Sequence, residues 1–566
     1  MAASTLNMHY TIANPTDFGI YQYEAVLPSY SSEGQLAGQA ALENVLSSLK
    51  KINTAELSEK DAYTYTLLER SLTNSMNMNS FSYYSEPLSP SSGMQSQLPI
   101  LLAEYTFRTK RDIEDYLELL NQTDEYFASL LLFEQEKADA GLLMPASSLA
   151  KVRNQCDTIV TIDSLEDGTH FLQSTFTERL NVLLTDGKIT TKEADSYSAQ
   201  NNRLLKTVVV PAYETLSDGL FLLENNDISL SGLAAKPQGQ DYYQYLFISE
   251  TGSYRPIEEV KQLLTKQLEQ EYQTIKALLQ KQPSLPELLD SENYTKMPYQ
   301  DASTMLADLQ KRMEDDFPGL SENGRHMPSV KVKNVSKNLE QYCAPAFYLT
   351  APIDDTDNNV IYINQKNSPK GLELYTTLAH EGYPGHLYQT VYSNRYFSEN
   401  IENNVRQLLW YGGYLEGWAL YVEFISFDYA SKLMEEHNRL DDALCVQIEK
   451  HNRSLQLCLY SLLDIMIHYE NASYNQVANL LKGFGISNPG SAAAVYTYIA
   501  EEPCNYPKYY LGYLEILELK KAAQEQWGEA YSDYTFHCFY LDCGPSDFTS
   551  LTERLMTSSQ LHERTD

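Results

Sequence analysis

The chain has 566 residues and is 43% hydrophobic, enough for a sizeable core and too much for wholesale disorder. Its 42 basic against 76 acidic residues leave a formal charge of −34, a field that repels nucleic acid and anionic lipid. Seven cysteines without a CxxC pair argue against a thiolate zinc site and a disulfide framework, although Cys538 and Cys543 are close enough in sequence for one local bridge.

The N-terminus, Met-Ala-Ala-Ser-Thr-Leu, lacks the basic and apolar regions of a signal peptide, and no run approaches the eighteen or so apolar residues of a membrane span. Two readings stand: a cytoplasmic protein, or a chain cut after a removed leader. The first half reads as successive helices. Ser58 with Asp61 resembles a capping signal, opening a stretch through Leu67, Leu68 and Leu72. Ile113, Leu117, Leu120, Phe127 and Leu131 recur at helical spacing. After Pro256 come Glu258 and Glu259 at the positive helix end, with Ile257, Val260, Leu264, Leu268, Tyr272, Ile275 and Leu279 on one stripe. Leu306, Leu309, Met313 and Phe317 continue the pattern until Pro318. These stripes are core and carry no chemistry. The polar, aromatic turn Gln238–Tyr243 interrupts them.

No repeat or low-complexity linker marks a boundary. A soft division near residues 319–328 separates a helical half (1–320) from a half bearing chemistry (321–566), read together as one continuous unit. Ala346–Leu349 and Val360–Ile363 are β-prone runs around an acidic turn, which predicts a hairpin whose edge can pair with an extended peptide. That turn, Asp354–Asn359, lacks the central glycine and closing glutamate of a calcium loop. Ser368-Pro369 is read as the cap and first-turn proline of the next helix.

That helix leads into His380-Glu381-Gly382-Tyr383-Pro384-Gly385-His386. His followed by Glu opens the metal helix of zinc hydrolases, where the imidazole binds the ion and the carboxylate works on water. The usual second His, four residues on, is Pro384. On a straight helix His380 and His386 face apart, so both can ligate one ion only if the helix breaks at Gly382–Gly385. The competing reading is a helix that ends at Pro384 beside two incidental histidines. Downstream, Glu416 and Glu423 share a face of an otherwise apolar run, Tyr414–Glu423, where an unpaired carboxylate is costly. A metal resolves that conflict, and so does a buried salt bridge. Glu416 is favoured as ligand, with Glu423 as supporting partner or substitute. Asp464 and His468, the Pro503–Gly512 stretch with Tyr509, and Phe536-His537 follow. Any one of these is an ordinary core polar group, or a donor for an oxyanion.

Together these segments resemble the bacterial domain of unknown function 885 family, with its HEGxPGH, EGWALYxE, D-x-G-x-H, P-G-Q-x-x-x-Y-x-x-G and late FH features in order over residues 340–545. Met466, Asn505 and Tyr460 depart from the later motifs; the first two motifs are intact. The resemblance implies a mainly α-helical, metallopeptidase-like body with a deep cleft and a small β-hairpin beside the metal helix, related to the glutamate-zinc peptidases. It implies His380, His386 and Glu416 as Zn²⁺ ligands and Glu381 as general base. Tyr509 is the first choice as oxyanion donor, then His537 or His468, with Asp464 orienting an imidazole. The expected activity is zinc-dependent hydrolysis of peptide bonds, with no nucleic-acid partner. The alternatives are a hydrolase of non-peptide amides or esters, and a silent peptide-binding lipoprotein. Related sequences look like exported lipoproteins, which favours an extracellular, lipid-anchored protein over a cytoplasmic one.

Overall fold

A computed structural model describes residues 4–224, 228–321, 326–335, 337, 339–340, 343–400 and 404–557. The fold is mainly α, with one small sheet, as the sequence predicts. Two compact units are built from interleaved segments: residues 1–45, 79–230 and 335–343 form the first, and 46–78, 231–334 and 344–566 the second.

In the first unit the apolar stripe expected around Ile113–Leu131 is two helices, Lys110–Asn121 and Thr123–Asp139, broken at Gln122. Its core includes Leu119, Leu120, Leu130, Leu149 and Leu172, with Phe127 meeting Tyr213 edge to face at 4.7 Å.

In the second unit Ser58 caps the helix Glu59–Met78, its hydroxyl accepting from the Asp61 N–H. The helix after Pro256, Ile257–Lys281, buries Ile257, Val260, Leu264 and Leu268, and packs on the long helix Leu440–His468. Its stripe is interrupted at Tyr272, which is exposed, and resumes where Leu278 and Leu279 pack against Leu285, Cys445 and Ile448.

Strands β1 (Ser329–Asn334), β2 (Ala346–Leu349) and β3 (Asn358–Ile363) form a sheet in the order β1-β3-β2. The expected hairpin is the antiparallel β2–β3 pair, Ala346 opposite Ile363. β1 runs parallel to β3 on its other side. Val330 and Val332 alternate there with Lys331 and Lys333, but two half-buried apolar residues make a period too short to stand out in the sequence. The helix bearing His380 is Gly371–Glu381 and starts later than Ser368-Pro369 predicts. The chain turns at Gly371 (φ +55°) against the Thr295 carbonyl, which would lie 1.9 Å from any Cβ there.

The frame of the second unit is the helix Gly412–Glu436, packed on Gly371–Glu381, Leu440–His468 and Asn505–Trp527. It crosses the last of these through glycines: a Cβ on Gly417 would sit 2.5 Å from the Gly512 carbonyl carbon. The two backbones touch there.

Candidate metal centre

The helix Gly371–Glu381 stops where the sequence requires. Gly382 leaves helical dihedrals (φ −113°, ψ −97°), and the Gly382 and Tyr383 N–H groups both donate to the Leu378 carbonyl. A new helix begins at His386. Gly385 lies so close to the turn it leaves that a Cβ would stand 1.8 Å from the His380 carbonyl oxygen, so only glycine fits. Trp418, buried on the helix Gly412–Glu436, donates its indole N–H to the Pro384 carbonyl at 2.9 Å and pins the break.

The break turns His386 back beside His380, ring centroids 4.9 Å apart and nearly perpendicular. Glu416 reaches between them: its Oε2 lies 3.2 Å from His386 Nε2 and 3.7 Å from His380 Nε2. One donor atom from each of the three falls within 4.8 Å of the others. Two ligands about 2.1 Å from a tetrahedral zinc stand roughly 3.4 Å apart, so the trio has the spacing of a metal site. Glu416 Oε2 is buried and accepts no well-formed hydrogen bond, an orphaned acceptor that a cation between the imidazoles would satisfy. The residues fit a zinc ion. Burial works against an ionised Glu416, yet the imidazoles of His386 and His380 hold its carboxyl well below the usual range.

The surrounding groups orient the trio. His380 Nδ1–H donates to Glu423 Oε2 at 3.0 Å, which leaves its Nε2 as the free lone pair. Glu423 is itself held by Arg453, whose Nε donates to Oε1 at 3.1 Å. Burial opposes the charge on His380, but Glu416 and Glu423 push its pKa up to about 10, so a cation and a proton compete for the same acceptors. Glu381 is fixed from the sheet: the Tyr348 N–H, on the outer edge of β2, donates to its Oε2 at 2.8 Å. That edge N–H is thereby committed to the protein rather than open to a peptide. Tyr509 stacks on His380 at 6.2 Å, and burial together with Glu416 and Glu381 keeps its phenol protonated, a donor at the site.

The family model for bacterial proteins of unknown function, DUF885, matches residues 13–555. The chain belongs to the DUF885 family. It is similar in fold to a candidate lipoprotein from Colwellia psychrerythraea, with TM-score 0.80, 18% identity, and 98% of this chain and 96% of that one covered. A candidate lipoprotein of unknown function from Shewanella oneidensis matches with TM-score 0.64 and 14% identity over 97% of each chain. No curated protein matches the chain.

The remaining predicted site residues of this DUF885 chain lie elsewhere in the core. His537 donates from Nδ1 to the Asp316 carbonyl (2.7 Å), accepts from the Tyr421 hydroxyl at Nε2 (2.9 Å) and stacks on Phe317. His468 donates from Nε2 to the Ile499 carbonyl and accepts the Leu233 N–H at Nδ1. Both imidazoles have both nitrogens bonded to protein partners. Asp464, expected to orient an imidazole, instead accepts from the Tyr243 hydroxyl and the Cys504 N–H. Sequence reasoning missed Arg453, which no motif marks, and Trp418, whose role is hidden inside the run around Glu416. Cys538 and Cys543 form no disulfide with each other, and none of the other cysteines is in one.

Proposed function

We propose that the protein is a zinc-dependent hydrolase of peptide bonds, with His380, His386 and Glu416 holding the ion. The observation that carries this reading is the convergence of three donor atoms within 4.8 Å around a buried, unsatisfied carboxylate oxygen. A zinc ion, when bound, supplies Lewis acidity towards a water and the scissile carbonyl. The rest falls to the chain. Glu381, anchored through Oε2 by the Tyr348 N–H, takes the water's proton at its other oxygen and passes it to the leaving amine. Tyr509 presents a protonated phenol to the oxyanion. Glu423, braced by Arg453, keeps His380 turned with Nε2 inward.

The descriptions of the two solved neighbours as candidate lipoproteins support an exported, lipid-anchored form of the protein. Fractionation of cells that make the protein naturally tests that part. No described helix is long and apolar enough to cross a membrane.

The activity is tested by metal analysis of protein purified without chelator, alongside a peptide-mixture digest read by mass spectrometry. One zinc per chain and cleavage at peptide bonds are expected. Glu381→Gln should keep the zinc and lose about 10²–10⁴-fold in rate. His386→Ala should lose the metal. Zinc retained by His386→Ala would remove that residue from the site. Hydrolysis of aminoacyl esters but not peptides would overturn the peptide assignment, and a metal-free, inert protein would overturn the enzyme.

A further inference from the structure

Three stretches noted in the sequence meet at one buried point. Asp464, fully buried on the helix Leu440–His468, accepts from the Tyr243 hydroxyl at 2.6 Å and from the Cys504 N–H at 2.9 Å. One turn on, His468 binds the Leu233 N–H and the Ile499 carbonyl, and its ring stacks on Tyr243 at 5.7 Å. Four separate segments are thus tied to one face of one helix. Cys504 is the point of consequence. It is a non-glycine residue at φ +64°, a conformation that needs outside support, and it is the N-cap of the helix Asn505–Trp527. Its own N–H is spent on Asp464, and the helix it launches carries Tyr509 five residues later. Three residues further, Gly512 meets Gly413 and Gly417, so the helix can neither slide nor rotate without a backbone clash. Asp464 fixes the start of that helix and the glycine crossing fixes its middle. Tyr509 lies between these two restraints, stacked on His380.

We infer that Asp464 is a positioning residue: acting through the Cys504 main chain, it sets the Tyr509 phenol against the metal cluster. This inference rests on the hydrolase reading and assigns a role to the Asp464 segment that its chemistry leaves open. Asparagine can replace the carboxylate in kind, accepting the Cys504 N–H at its oxygen and donating to the Tyr243 oxygen from its nitrogen. Alanine leaves the Cys504 N–H buried and unbonded.

The test uses the zinc-loaded protein and the peptide that wild type cleaves best. Asp464→Ala should lower kcat about tenfold with KM and zinc content unchanged, and Asp464→Asn should restore it. In a Tyr509→Phe background Asp464→Ala should cost nothing further, because both changes remove the same contribution. Hydrogen exchange at residues 504–509 of the metal-free protein should speed up in Asp464→Ala and recover in Asp464→Asn. If Asp464→Ala fails to fold, Tyr243→Phe carries the test, with about a threefold fall in kcat that vanishes in the Tyr509→Phe background. Multiplicative losses, or an unchanged kcat in the folded variant, would overturn the inference. An inactive wild type would overturn the hydrolase reading instead, and the two failures are distinct.

Discussion

At the scale of single residues, the site is a chain of orientation from solvent inwards: Arg453 holds Glu423, Glu423 holds His380, and His380 is left one nitrogen for a cation. On the proposed reading, a residue that never touches the ion would govern its affinity. Glu423→Gln should weaken zinc binding about 10–100-fold, read by competition with a chelating dye, while leaving the fold intact. The two buried imidazoles, His468 and His537, make a separate prediction. Burial lowers the pKa of His468 and of His537 to about 4, below the ordinary 6.5 of an unfolded chain. As pH falls from about 6.5 towards 4 the unfolded state takes up protons that the folded state refuses. Stability is thus complete above that window and declines through it, and His537→Gln should flatten the decline in urea unfolding. Asp464 acts in the opposite sense: burial raises it to about 8, so its contribution is complete below about 4 and is lost as pH rises to 8.

At the scale of elements, the decisive feature is an interruption. On a straight helix the two histidines of HEGYPGH would face apart, and the structure ends one helix at Glu381 and starts another at His386, which brings them together. Gly385→Ala should destabilise the protein by about 3 kcal/mol and release zinc together with stability, because the Cβ would strike the carbonyl of a ligand residue. Much of this was legible. Pro and Gly between two histidines announce a break, and two carboxylates seven apart on an apolar helix announce a buried function. The opposed histidines even specify which residues must distort. The long-range partners were not legible. Asp464 and His468 are four apart in an apolar run, a spacing shared by a pair that braces a metal ligand and by one that ties packed segments together, and the partners Tyr243, Leu233 and Ile499 appear only in the structure. His537 likewise sits beside aromatic neighbours whether it is a donor or a core residue. β1 was missed because its alternation rests on only two apolar residues, Val330 and Val332, and both are only half-buried.

At the scale of the whole molecule, the two units do not follow one another along the chain. The first takes its last segment from residues 335–343, after the second has already received residues 46–78 and 231–334. Cutting the gene at residue 320 removes material from both units. A fragment of residues 1–320 should therefore show no cooperative urea transition, and mixing it with 321–566 should restore one only if the pieces assemble.

The same interleaving sets a timetable. A ribosome delivers a chain from its N-terminus, and ordinary domains fold as they emerge. Here neither unit is complete before residue 343 has been made, and the second must also wait for the helix that bears Tyr509 and the capped helix Asp533–Cys543 beyond it. The nascent protein spends most of its synthesis with apolar stripes unmatched, so holding chaperones have a long interval in which to act on it.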